Sequence, residues 1–167
     1  MLYKDYKNSA RKHEYTCDVL FKELNELNEK IYAAKYRSLV LNLYYLSGYI
    51  IECIVKYGIY DLIGYRKDRR VTELDENGLT YHDHIQHHRF DRYTEHLNRR
   101  ISVSIPLIND NKINKKRIDN KVIELYRQWD PRIRYSYDLK VKETCHYISF
   151  YKYAKKIHKN ILQNIRG

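Results

Sequence analysis

Cysteine, proline and glycine are scarce in this chain: three, two and five among 167 residues. So few prolines and glycines leave little material for a flexible linker, and with 43% hydrophobic residues the chain buries one core most simply as a single domain. Cys17, Cys53 and Cys145 lie far apart with no CxxC or zinc-ribbon spacing, and each sits among helix-periodic apolar residues. They read as buried reduced thiols, so no metal site and no disulfide is expected from them. There is no P-loop glycine motif, no Gly-x-Ser-x-Gly elbow and no His-Glu-x-x-His helix, and most familiar enzyme classes lose support. No cofactor is implied. No run of roughly 18 apolar residues goes without polar interruption, and residues 1–15 lack the apolar region of a signal peptide. The expectation is a cytoplasmic protein without a membrane partner. Internal repeats and low-complexity segments are also missing.

Acidic residues are in short supply too, 21 against 32 lysines and arginines, for a net charge of +11. That balance favours an anionic partner, most commonly nucleic acid. A low-GC genome would also enrich Lys, Asn, Ile and the 19 tyrosines without selection for binding, although arginine enrichment does not follow from that bias.

What the chain does have is helical periodicity. The strongest segment is residues 36–63, where Leu39, Leu43, Leu46, Ile50, Ile54 and Gly58 share one broad face. Opposite them Tyr45, Tyr49, Glu52 and Lys56 form a narrow stripe. Nearly everything else on this helix is apolar or small, so the stripe is expected to face a cleft or a partner. A first helix over 8–34, inward through Cys17, Leu20, Leu24, Leu27 and Ile31, precedes it after a very short connection, which predicts an antiparallel pair. After 63 the pattern breaks. Arg66-Lys67-Asp68-Arg69-Arg70 reads as a phosphate-contacting loop or as a surface charge run, and Asn77-Gly78 suggests a hairpin pairing 71–74 with 79–81. The histidine-rich stretch 81–100 reads as a third helix and 101–112 as a loop. A fourth helix is expected over 113–126, through Ile118, Val122, Ile123 and Tyr126. The last is expected over 140–164, with Val141, Cys145, Ile148, Ala154, Ile157 and Ile161 inward. The fold class is therefore all-α: an antiparallel bundle of about five helices with a loop or small hairpin inserted after the second.

Glu52 and Lys56 stand at i,i+4 with the acid first, the favourable order for an intrahelical pair. Alternatively Glu52 orients Arg134 near Trp129 and Tyr135, a task suited to a bidentate carboxylate–guanidinium pair. His84 and His88 have the i,i+4 spacing that can seat a metal. No carboxylate or cysteine pattern completes a site, so His82, His84, His87 and His88 read as surface histidines. Tyrosines interleaved with Lys and Arg can stack bases or form amphipathic core edges.

Ser47-Gly48-Tyr49-Ile50-Ile51-Glu52-Cys53-Ile54-Val55-Lys56 resembles the small-Gly-Tyr-x-x-Glu-Cys-x-x-Lys helix of the HEPN superfamily, the higher eukaryotes and prokaryotes nucleotide-binding domain. His88-Arg89-Phe90-Asp91-Arg92-Tyr93 resembles the start of that family's third helix, and Trp129 through Arg134-Tyr135 resembles its Trp…Arg-Tyr segment. The resemblance implies a helical bundle, commonly a homodimer, from a bacterial, phage or plasmid defence or toxin–antitoxin system. It implies a partner that is RNA, a nucleotide, an antitoxin or an effector protein. Its binding residues would be Glu52, Lys56, Tyr49, Trp129, Arg132 and Tyr135.

Catalytic members of the family are metal-independent endoribonucleases that carry Arg, four to six residues, then His. There His handles the ribose or leaving-group proton and Arg stabilises the phosphoryl charge. In the expected place Arg134 is followed by no suitable histidine. The literal match, Arg89 and His96, falls in the third helix, about 10 Å apart in rise. The resemblance thus implies a binding module first, and an endoribonuclease through Arg134, Arg89 and His96, or a non-catalytic scaffold for a neighbouring enzyme, as alternatives.

Overall fold

The computed structural model describes residues 1–102, 105–108, 118–139 and 143–165. Its helices are α1 (Tyr3–Glu26), α2 (Ala33–Leu62), α3 (Phe90–Asn98), α4 (Asn120–Gln128) and α5 (Thr144–Asn164), an all-α arrangement carrying one two-residue hairpin, β1 (Asp75–Glu76) and β2 (Leu79–Thr80).

α2 is the central element. From Ile50 to Tyr60 every residue is buried, because α1, α3 and α5 all pack against it. Contacts between Tyr3 and Tyr60, Cys17 and Ser47, and Glu23 and Lys35 make α1 antiparallel to α2. Those of Tyr44 with Tyr147, and of Gly58 with Ile161, make α5 run parallel to it. By length and composition alone α2 is also apolar enough to cross a membrane, but most of its apolar stretch is buried inside the fold. Cys17 and Cys53 are buried as expected, and burial pushes each thiol up to about 12.

Several boundaries differ from expectation. α1 begins five residues early, where the Asp5 carboxylate accepts from Leu2 N–H at 2.8 Å, and it ends at Glu26 rather than at 34. Asn28 stops it: its side chain accepts from Lys30 N–H at 3.0 Å, and its carbonyl accepts from Tyr32. Ile31, expected inward, is consequently 69% exposed. The hairpin pairs Asp75 with Thr80 and Glu76 with Leu79, not 71–74 with 79–81. Asn77 and Gly78, both at positive φ, make a two-residue turn that forces the residues next to it to pair. Residues 71–73 form a 3₁₀ turn instead.

The expected third helix is broken: Tyr81–Ile85 make one wide turn, and α3 starts only at Phe90. Cys145, expected inward, is exposed, because it lies on the face of α5 opposite buried Tyr147, Phe150, Ala154, Ile157 and Ile161. Of the expected fourth and fifth helices, 113–117 and 140–142 lie outside the described residues.

Candidate functional site

The middle of α2, the break before α3, the end of α4 and the 3₁₀ turn Pro131–Tyr135 meet at one place. Gly48 makes the meeting possible: a Cβ on it would lie 1.8 Å from Trp129 Nε1. Without that carbon the indole lies against α2 and donates to the Tyr45 carbonyl at 3.2 Å. Phe90 stacks on the indole at 4.9 Å and Tyr49 meets it edge-on at 5.1 Å. Trp129, 3% exposed, is therefore a floor beneath the site and not a surface on which a base can stack.

One turn further along α2, Glu52 and Lys56 form an ion pair at 2.9 Å, with side chains only 5% and 3% exposed. Desolvating two charges costs several kcal/mol per ion unless other groups replace water. The Tyr93 ring lies 5.0 Å beneath the ammonium and the Tyr6 ring 5.9 Å away. Burial, reinforced by the Glu52 charge, pushes the Tyr93 phenol well above its ordinary value, so it stays neutral beside the pair.

The second partner of Glu52 is His88, not Arg134. His88 Nδ1 lies 3.0 and 3.1 Å from the two carboxylate oxygens. A carboxylate only accepts, so Nδ1 carries the proton and Nε2 is left available. The His88 side chain is 53% exposed and lines the groove described below. Among the described residues, Glu52 reaches the surface through this imidazole. Residues 86–89 leave the helical path here, and His88 comes down onto the α2 carboxylate.

Outside this buried cluster runs a groove made of two adjoining cavities of about 590 and 330 Å³ that share Arg89, Asp130 and Arg132. Asp91, Arg92, Arg127, Gln128, His87 and His88 complete its polar lining. Arg89 is held by Asp91 at 2.8 and 3.2 Å and Arg132 by Asp130 at 2.8 and 3.1 Å, each a two-point grip. The Asp130 carboxylate is held below its usual range by its bonds from Arg132, which outweigh burial. Among the described residues neither Arg92 nor Arg127 is engaged by an acid. Four guanidinium groups thus face two carboxylates.

Arg134 lies at a separate rim. Exposed, with its guanidinium 4.8 Å from the Tyr135 ring, it lines a third cavity of about 160 Å³ with Tyr45, Ile133 and Tyr137. Tyr135 and Tyr137 are 70% and 86% exposed. Its charge reaches Tyr49, where it offsets part of the rise that burial and Tyr45 impose on that phenol.

Arg89 and His96 do not form one site. Arg89 is committed to Asp91 in the groove, while His96 packs edge-on against His84 at 4.9 Å. Burial, then the nearby His84 and Arg100, lowers the His96 pKa. The His84–His88 pair is also split, since His84 Nδ1 accepts from Thr80 N–H at 3.0 Å. Sequence reasoning missed the role of His88 among four clustered histidines; its one distinguishing signal was its place at the head of the family-like His88–Tyr93 segment. Comparison with protein-family models, with curated proteins and with solved structures finds no match to this chain.

Proposed function

We propose that the chain is a HEPN-like module that binds RNA or a nucleotide through the groove between α3 and the α4–3₁₀ segment. The observation that carries this reading is the excess of guanidinium over carboxylate in one continuous concavity. Arg92 and Arg127 offer their full forks to phosphate, and Arg89 and Arg132 are pre-oriented by Asp91 and Asp130. Exposed Tyr135 and Tyr137 beside Arg134 supply faces on which unpaired bases can stack. Buried Glu52, Lys56 and Trp129, with half-buried Tyr49, support the groove from beneath. A homodimer from a defence or toxin–antitoxin system is the setting that the α2 motif suggests. Fluorescence anisotropy with a labelled single-stranded RNA tests the reading: binding is expected at low salt, weakened about tenfold or more by Arg92→Ala with Arg127→Ala. Unchanged affinity in that double variant would move the ligand elsewhere.

The Glu52–His88 contact favours a second reading, a metal-independent endoribonuclease with His88 in place of His96. His88 Nε2 takes the proton from a ribose O2′, O2′ attacks phosphorus, and the P–O5′ bond breaks. The departing O5′ receives a proton through water, leaving a 2′,3′-cyclic phosphate and a 5′-hydroxyl. Arg92 and Arg132 neutralise the phosphorane charge, and Glu52 acts only by holding the imidazole tautomer. Cleavage in the presence of chelator is expected to be lost in His88→Ala, restored in part by free imidazole, and unaffected by His96→Ala. Cleavage that survives His88→Ala, or no cleavage of a bound RNA, leaves the binding module alone standing.

A further inference from the structure

We propose that Glu143, Cys145 and His146, at the first turn of α5, form a zinc-type metal site, independent of the groove and of its function. Their donor atoms lie within 4.8 Å of one another: a carboxylate oxygen, a thiol sulfur and an imidazole nitrogen. Glu143 Oε2 is 3.6 Å from Cys145 Sγ and 3.3 Å from His146 Nε2. A tetrahedral ion with bonds of about 2.0–2.3 Å holds its donors about 3.3–3.7 Å apart. Two of the three donor pairs already stand at that spacing.

The independent observation is on the other side of the imidazole. Asp119, which starts α4 by accepting from Lys121 N–H, places Oδ2 3.9 Å from His146 Nδ1. At 3.9 Å this carboxylate is not hydrogen-bonded in the metal-free chain, but with an ion taking the Nε2 lone pair it is the acceptor placed to draw in the Nδ1 proton, the usual support of a metal-bound histidine. His146 is only 19% exposed, whereas Cys145 and Glu143 are open to solvent, so a metal can enter from solvent. With three protein ligands and water as the fourth, borderline-soft Zn²⁺ suits the S, N and O donors better than the hard cations Mg²⁺ or Ca²⁺. Bound there, the ion links the start of α5, through His146 and Asp119, to the start of α4.

The test uses the full chain stripped of metal by chelator and titrated with Co²⁺ as the spectroscopic probe. The expected result is a one-to-one complex with tetrahedral visible bands and a thiolate-to-cobalt charge-transfer band, all displaced by Zn²⁺. Cys145→Ser should remove the charge-transfer band, His146→Gln should abolish tight binding, and Asp119→Asn should weaken it about 10–100-fold. Each variant is checked by circular dichroism for unchanged helix content. No charge-transfer band at millimolar Co²⁺, or a band that survives in Cys145→Ser, overturns the proposal; the latter would assign the metal to other ligands, such as the histidines between 82 and 88.

Discussion

Gly48 is the residue on which the candidate site turns, because the sole tryptophan occupies the space a side chain would need. Gly48→Ala puts a methyl within 2 Å of the indole, so Trp129 must leave the Tyr45 carbonyl or α2 must bend. Overpacking of this kind costs about 1–3 kcal/mol, read as a Tm lower by about 2–4 °C per kcal/mol in a chain of this size. Trp129 is the only indole, so its emission should shift to the red as the ring gains water. Unchanged emission and Tm would mean that the indole does not pack against Gly48. A glycine in a helix interior, preceded by Ser47 and followed by Tyr49 and Glu52, was visible in the sequence. Its reason was not, since Trp129 lies 81 positions away.

Elements were readable where one periodicity dominates. α2 was expected over 36–63 and runs Ala33–Leu62, because its apolar residues leave no competing structure. α1 was misplaced at both ends, since Ile31 continues the stripe in phase while the Asn28 turn, a local hydrogen-bonding choice, stops the helix. Cys145 was misplaced for a different reason: nine residues at 100° each put it half a turn from Ala154, on the face of α5 opposite the buried one. The break before α3 could not be read because it depends on the long-range contact between His88 and Glu52.

The seam between α1 and α5 carries a pH prediction. Burial raises the Asp18 carboxyl, but the bonds from Lys155, at 2.7 Å, and from Tyr151 outweigh it and hold the pKa below its ordinary value. Glu14 meets His158 one turn away. A depressed carboxylate contributes stability above its unfolded pKa of about 3.9 that is lost as pH falls through the folded value. His13 and His96, lowered chiefly by burial, act earlier. Their unfolded forms take up protons near pH 6.5 while the folded forms resist, so stability present above about 6.5 declines as pH falls below it. Tm should thus hold from pH 8 to 7, decline below about 6.5, and fall again below about 4. A Tm constant from pH 7 to 5 would contradict the burial of these two imidazoles.

At the scale of the whole molecule, part of the net charge of +11 is concentrated in one concavity. Much of the surface charge is paired locally, as in Arg66 with Asp68, Arg69 with Glu73 or Lys121 with Glu124. Between α3 and α4, four guanidinium groups, those of Arg89, Arg92, Arg127 and Arg132, line one concavity. Sequence composition announced the charge but could not place it, because Arg89 and Arg92 are brought to Arg127 and Arg132 only by the packing of Phe90 on Trp129 and Tyr126. The central claim is that this groove binds a phosphate backbone. Its most direct test is the salt dependence of the anisotropy titration with single-stranded RNA. Each phosphate contact contributes about −0.7 to the slope of log K against log salt, so three to four contacts predict a slope of about −2 to −3, reduced by Arg92→Ala with Arg127→Ala. No binding at about 50 mM salt, or binding whose slope is near zero, would contradict it.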